Sequence, residues 1–268
     1  MATKRVSYEF ENVIEREEYH DGKYGAPGKK REEKKKATPE QVAKINQYNR
    51  EKKARHRLSM YFHEGDWFAT LTYRKDARPA DMATAKKHFS DFMRNVRPWY
   101  RKQGYEVFWI RNIENTKTNN WHIHLVINDI PVGNLIAMLN AMWPHGRVHD
   151  PKPLYKRGEF KDLATYITKN EKSTRELIGD NLDHQVTEAS YSHSRNMPLP
   201  PPKVEKLKRW EKQPREKKGW YIDKESYYEG INPVTGYKYR HYTLIRINRR
   251  IKKREGKRRD ESEICSKK

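Results

Sequence analysis

The chain has a single cysteine, Cys265, and it lies near the C-terminal end. One cysteine excludes an intramolecular disulfide framework and a zinc site built on several thiolates. No stretch approaches the ~18 consecutive apolar residues that a membrane-spanning helix needs. Met1 to Phe10 lacks the apolar centre of a secretory signal. The expected location is therefore the cytoplasm. Apolar residues are also scarce, at 34% against 35% charged, over 268 residues. That balance favours a folded centre smaller than the chain, flanked by extended basic arms. Acids are the scarcer charge. Lys and Arg number 58 and Asp and Glu 36, for a formal net charge of +22. Such an excess attracts polyanions. Nucleic acid is the first candidate partner and an anionic membrane surface the second.

The pattern along the chain gives four segments. Residues 1–37 are polar, with glycines and the charge run Lys29 to Lys36, and are expected to form a mobile basic arm. Residues 38–185 hold the candidate catalytic domain and its preceding basic helix. Thr38-Pro39-Glu40 marks the start of that helix, which is expected to reach about His63. Trp67 to Tyr73 reads as a strand. Residues 80–103 carry helical periodicity, which Pro98 is expected to bend or end. Val107 to Ile113 and Trp121 to Ile127 read as a hairpin across the polar loop Asn115 to Asn120. Leu135 to Trp143 and Phe160 to Lys169 read as short helices, with an extended piece around Arg147 to His149 between them. Residues 186–248 form a C-terminal extension. It reads as coil through Pro202, a charged helix or linker over Lys203 to Lys218, and strand-like pieces over Gly219 to Ile247. Residues 249–268 are a basic tail. The alternation of strands and helices over residues 66–172 gives an α+β fold with a mainly antiparallel sheet flanked by helices.

Chemistry enters with His122-Ile123-His124. In a strand, residues i and i+2 share a face, so both imidazoles can reach one metal ion while Ile123 packs inward. A polar pair on a solvated sheet face is the alternative. Glu114 closes the preceding strand, and antiparallel pairing would bring it beside the histidines. It could equally be a charge at the loop mouth. Two imidazoles and a carboxylate suit Mg²⁺ or Mn²⁺ with open positions for phosphate oxygens, and leave zinc possible.

On the helix over 160–169, Phe160, Leu163, Ala164 and Ile167 share one face, and Asp162, Tyr166 and Lys169 the opposite one. Tyr166 is then a candidate nucleophile with Lys169 as its cation, or both are ordinary surface residues. Tyr155 is the second candidate. His145 and His149 form a weaker second pair. Trp67, Tyr73, Trp99, Trp109 and Trp121 could stack unpaired bases or could fill the core. Arg195 could hold a backbone phosphate or sit on a plain surface loop.

Three stretches, in this order, resemble the motifs of HUH endonucleases of the rolling-circle replication initiator kind. They are Phe68-Ala69-Thr70-Leu71-Thr72-Tyr73, then Glu114 with Trp121-His122-Ile123-His124-Leu125, then Tyr166-Ile167-Thr168-Lys169. Trp143 to Val148, Tyr191 to Asn196 and Asn232 to Gly236 resemble the bacterial and phage branch, which includes relatives of the filamentous-phage gene II protein. The resemblance covers about residues 60–245. It implies an HUH (RRM-like) sheet that presents His122, His124 and Glu114 to a divalent metal. It further implies Tyr166 as nucleophile and Lys169 as supporting cation. The implied reaction nicks single-stranded origin DNA and leaves a 5′-phosphotyrosine adduct and a free 3′-OH. Thr70, Thr72 and Arg195 become candidate DNA contacts, and a host helicase a candidate partner. Some relatives carry two tyrosines four positions apart. The corresponding positions here are Asp162 and Asn170, which implies a single-tyrosine enzyme in the bacterial host of a plasmid, phage or integrated element. A non-catalytic nucleic-acid-binding protein, a water-using metal nuclease and a conjugative relaxase are the competing readings. Relaxases usually carry the tyrosine ahead of the histidines, whereas Tyr166 follows them.

Overall fold

The computed structural model describes residues 3–20, 38–154, 160–169, 186–231 and 237–248. Tyr155, Asn170, the run Lys29 to Lys36, the segment 232–236 and the basic tail 249–268 lie outside the described residues. Among those described, the fold is α+β, with two antiparallel five-stranded sheets and four α-helices. The chain divides into two compact units.

The first unit takes in residues 3–20, 38–60, 198–231 and 237–248. Its sheet consists of β1 (Thr3–Glu9), β2 (Val13–His20), β8 (Lys203–Leu207), β9 (Trp220–Ile231) and β10 (Lys238–Arg246), in the order β8-β1-β2-β10-β9. Helix α1 (Pro39–Tyr61) belongs mostly to this unit. It opens with a capping box. Thr38 Oγ1 accepts from the Gln41 amide at 3.2 Å, and Gln41 Oε1 accepts from the Thr38 amide at 3.0 Å.

Here the structure corrects the expectation of an arm over 1–37, because residues 3–20 form a hairpin in mid-sheet. Its polar sequence conceals a buried ionic core. Glu18 accepts from Arg5 Nε and Arg240 Nε, both at 2.7 Å, and from the Tyr242 hydroxyl at 2.9 Å. Arg5, Glu18 and Arg240 lie opposite one another across β1, β2 and β10. Composition counts such residues as solvated, yet paired charges can be buried. Residues 203–207 are likewise strand where a helix or linker was expected.

The second unit takes in residues 61–154, 161–169 and 186–197. Its strands are β3 (Trp67–Tyr73), β4 (Trp109–Thr116), β5 (His122–Ile127), β6 (Gly146–Pro153) and β7 (Val186–His193), in the order β6-β3-β5-β4-β7. The helices are α2 (Met82–Lys102), α3 (Leu135–Met142) and α4 (Lys161–Ile167). Asp81 caps α2 by accepting from the Thr84 amide at 2.7 Å, and Asn134 caps α3 through Ala137 at 3.1 Å. Pro98 lies within α2 without ending it. Residues 186–193 are strand where coil was expected.

Period-2 alternation sorts the second sheet into two faces. Leu71, Ile113, Ile123, Leu125 and Ile127 join Phe89, Phe92 and Val96 of α2 and Leu139 of α3 in one core. Each such side chain contributes about 1.5–3 kcal/mol on burial. Tyr73, Trp109 and Trp121 are buried in this cluster, and Trp67 and Trp99 pack against it. These aromatics are core, not a stacking platform. The opposite face carries the polar positions Thr70, Thr72, Asn112, Glu114, His122 and His124.

Candidate metal and tyrosine site

Register builds the site. Thr72, His122 and Glu114 form one cross-strand row over β3, β5 and β4, and Thr70, His124 and Asn112 form the next. Directly opposed residues point to the same face, with strands about 4.8 Å apart, so the six side chains make a compact polar patch. The hairpin loop between β4 and β5 closes tightly. Asn119 takes φ 54°, a conformation asparagine tolerates, and its amide donates to the Thr116 carbonyl at 2.9 Å. That turn leaves the Asn120 carbonyl 3.2 Å from His122 Nδ1.

Three ligand atoms, one each from Glu114, His122 and His124, lie within 4.8 Å of one another. His122 Nε2 is 3.3 Å and His124 Nε2 3.5 Å from Glu114 Oε2. A carbonyl only accepts, so His122 Nδ1 carries the proton and Nε2 is left as a bare lone pair facing the carboxylate. His124 Nδ1 shares a hydrogen bond of 3.1 Å with Thr70 Oγ1, which orients its Nε2 in the same way. Glu114 is fully buried. Burial alone would raise its pKa. The hydrogen bonds from His122 and His124 and the His124 and Lys169 charges outweigh burial and hold it well below the usual carboxylate range. Burial lowers the pKa of His124. The centre thus combines an ionised carboxylate with imidazole nitrogens, the set that a divalent cation takes. Oε2 of Glu114 accepts no well-directed hydrogen bond among the described residues, although three nitrogens stand within 3.5 Å of it. These residues fit a divalent ion.

Tyr166 and Lys169 complete the group. Helix α4 contacts β4. Ala164 and Ile167 are buried, and Tyr166 is 40% exposed. The Tyr166 hydroxyl is 3.2 Å from His124 Nε2, and Phe68 stands edge-on to the ring at 5.8 Å. Burial raises the Tyr166 pKa and the Lys169 charge opposes that rise. The helix stops at Ile167, so Lys169 does not share its outer face as expected. It is buried beyond the helix end, with Nζ 3.0 Å from Glu114 Oε2 and 4.3 Å over the Tyr166 ring.

A cleft of about 830 Å³ opens over these residues, with Thr70, Thr72, Arg78 and His149 also on its walls. Thr72 Oγ1 donates to the Arg147 carbonyl at 3.1 Å. The pair His145 and His149 is split, since His145 stacks on His88 at 3.7 Å while His149 lines the cleft. Arg195 is exposed at the turn after β7. It lies beyond the Ile110 end of β4, more than four ladder positions from Glu114, or roughly 13 Å. Sequence reasoning missed Asn112, whose buried Nδ2 donates to Glu114 Oε1 at 2.8 Å and to the Lys169 carbonyl at 3.0 Å. Its position two residues before Glu114 was the available signal. Arg78 was missed too, and nothing in its local sequence marks it.

An antiparallel sheet that turns a Glu-His-His group toward a helix-borne tyrosine defines a class of replication-associated domain. Residues 66–171 match the model of the family described as replication-associated protein ORF2/gene II protein, consistent with a rolling-circle replication initiator. The matched segment contains all five candidate site residues. No curated protein and no solved structure matches the chain.

Proposed function

We propose that the chain nicks single-stranded DNA at a replication origin by tyrosine transesterification, with Glu114, His122 and His124 holding Mg²⁺ or Mn²⁺. The observation that carries this reading is the Tyr166 hydroxyl, 3.2 Å from a nitrogen of the Glu-His-His group at the wall of an open cleft. A bound cation supplies Lewis acidity to the phosphodiester. The protein's own residues do the rest. Lys169 favours the ionised phenol over the neutral one, against the effect of burial. Asn120 and Thr70 fix the two imidazoles, and Arg78 offers a cleft guanidinium to a backbone phosphate. Tyr166 Oη bonds to phosphorus as the P–O3′ bond breaks. The phenol gives up one proton and the departing 3′ oxygen gains one. The products are a 5′-phosphotyrosine and a free 3′-OH, and the ester keeps the energy of the broken bond, so ends can be rejoined.

The test is incubation with single-stranded oligonucleotides and Mn²⁺, read on a denaturing gel. Wild type is expected to give a covalent protein–DNA band with nucleotide on the peptide containing Tyr166. Tyr166→Phe keeps the ring and is expected to lose both nicking and adduct. His122→Ala combined with His124→Ala is expected to lose nicking while keeping most DNA affinity, which rests on dispersed Lys and Arg. Nucleotide on Tyr155 would move the site, and cleavage without any adduct would turn the reading into a water-using nuclease.

A further inference from the structure

The first unit contains a cavity of about 500 Å³ outside the segment matched by the family. Tyr8 and Phe10, both half-buried, form one wall. The His56 ring lies against them, with centroids at 4.4 and 5.1 Å. Its Nε2 is 3.0 Å from Glu15 Oε2, which fixes the ring plane. Leu199, Pro200 and Pro201 form the facing wall. The rim is basic, with Lys52, Lys53 and Lys203 against the single carboxylate of Glu9. Lys203 is paired with Glu9 at 2.7 Å and Lys52 with Glu17 at 2.7 Å. Lys53 is exposed and makes no ion pair among the described residues. Arg50, Lys53 and Arg57 follow one another at i, i+3 and i+7 on α1, a basic stripe about 10 Å long that runs past the cavity.

Aromatic and proline walls with a cationic rim match a flat apolar ring attached to a phosphate. We propose that this cavity binds an unpaired base of single-stranded DNA, with the flanking phosphates on the Arg50–Lys53–Arg57 stripe. Duplex DNA keeps its base faces stacked and offers nothing to the aromatic wall, whereas a single strand offers both base and backbone. The inference rests on single-stranded DNA as the partner and is independent of the nicking chemistry. It gives the first unit a task of its own, which is to hold the strand by a base that takes no part in the tyrosine chemistry.

The experiment uses the full chain without divalent cation. A labelled oligo-dT on the order of 15 nucleotides long is titrated by fluorescence anisotropy, with a duplex of equal length and poly-glutamate as competitors. Oligo-dT in which 5-iododeoxyuridine replaces thymidine is photocrosslinked and the peptide mapped. Expected are a crosslink on the peptide carrying Tyr8 and Phe10, and weak competition by duplex and poly-glutamate. Tyr8→Ala is expected to weaken binding about tenfold and Tyr8→Phe to leave it near wild type. Lys53→Glu is expected to weaken binding severalfold with a shallower salt dependence. Absence of that crosslink overturns the proposal, as does unchanged affinity in both Tyr8→Ala and Lys53→Glu, or poly-glutamate competing as well as oligo-dT. If Tyr8→Ala does not fold, the wild-type crosslink and Lys53→Glu decide. Adduct formation at saturating DNA is scored separately. A missing adduct with the crosslink present refutes the nicking reading alone.

Discussion

Asn112 carries more of the site than its neutral side chain suggests. It is fully buried, and its single amide nitrogen ties the ligand carboxylate on β4 to the backbone just beyond α4. Asn112→Ala would remove two buried hydrogen bonds and leave a small void. Expected are a loss of about 2–3 kcal/mol in thermal stability and an adduct rate about 10- to 100-fold lower at limiting Mn²⁺. Excess Mn²⁺ is expected to restore part of that rate. A Mn²⁺ titration identical to wild type would remove Asn112 from the site. At this scale the sequence showed the histidine pair, Glu114 and the tyrosine, because period 2 and period 3.6 are strict local rules. Lys169 reaches the group for a different reason from the one its spacing offered. The buried carboxylate draws it in after the helix has ended, a long-range effect that no local period encodes.

Strands β3 and β5 were legible almost to the residue, because apolar and polar positions alternate along them. Hairpin β1–β2 was not, because its inward positions include Arg5, Glu15 and Glu18 and the pattern reads as solvated. Its partners lie more than 200 positions away in β8 and β10, which a local window does not see. Strand β6 illustrates a third case. It pairs with β3 at the sheet edge, and a Cβ on Gly146 would meet the Thr72 carbonyl oxygen at 1.9 Å and its carbon at 2.7 Å. Both are backbone atoms, so nothing flexible can yield. Gly146→Ala is therefore expected to push β6 off β3 and cost about 1–3 kcal/mol in urea unfolding. His149, carried by β6, would shift with it. Unchanged unfolding would show that the strand pair accommodates the methyl group.

Across the whole molecule, charge does two different things. The excess of +22 is suited to a polyanion at the surface, while inside the first unit opposite charges are matched and buried. This internal matching makes stability depend on acid. For Glu15, burial raises the pKa, but hydrogen bonds with Arg55, His241 and His56 and the Arg55 charge outweigh it and hold the group well below its ordinary value. For Glu18, burial again opposes, and hydrogen bonds from Arg5, Arg240 and Tyr242 prevail. Both folded values therefore lie below the unfolded value, near 4.3. As pH falls below that value the unfolded chain takes up protons that the folded chain refuses. The stabilisation is complete above the unfolded value and is lost as pH falls through the folded ones. The melting temperature of wild type is thus expected to drop steadily between about pH 6 and pH 3. Glu18→Gln leaves Arg5 and Arg240 buried without their anion, which costs about 3–5 kcal/mol at neutral pH. It also removes one titrating group, so its remaining stability should fall less steeply over the same interval. Melts of both proteins across that range check the two expectations together. A variant that is less stable yet keeps the full wild-type slope would show that the acid sensitivity arises elsewhere in the chain.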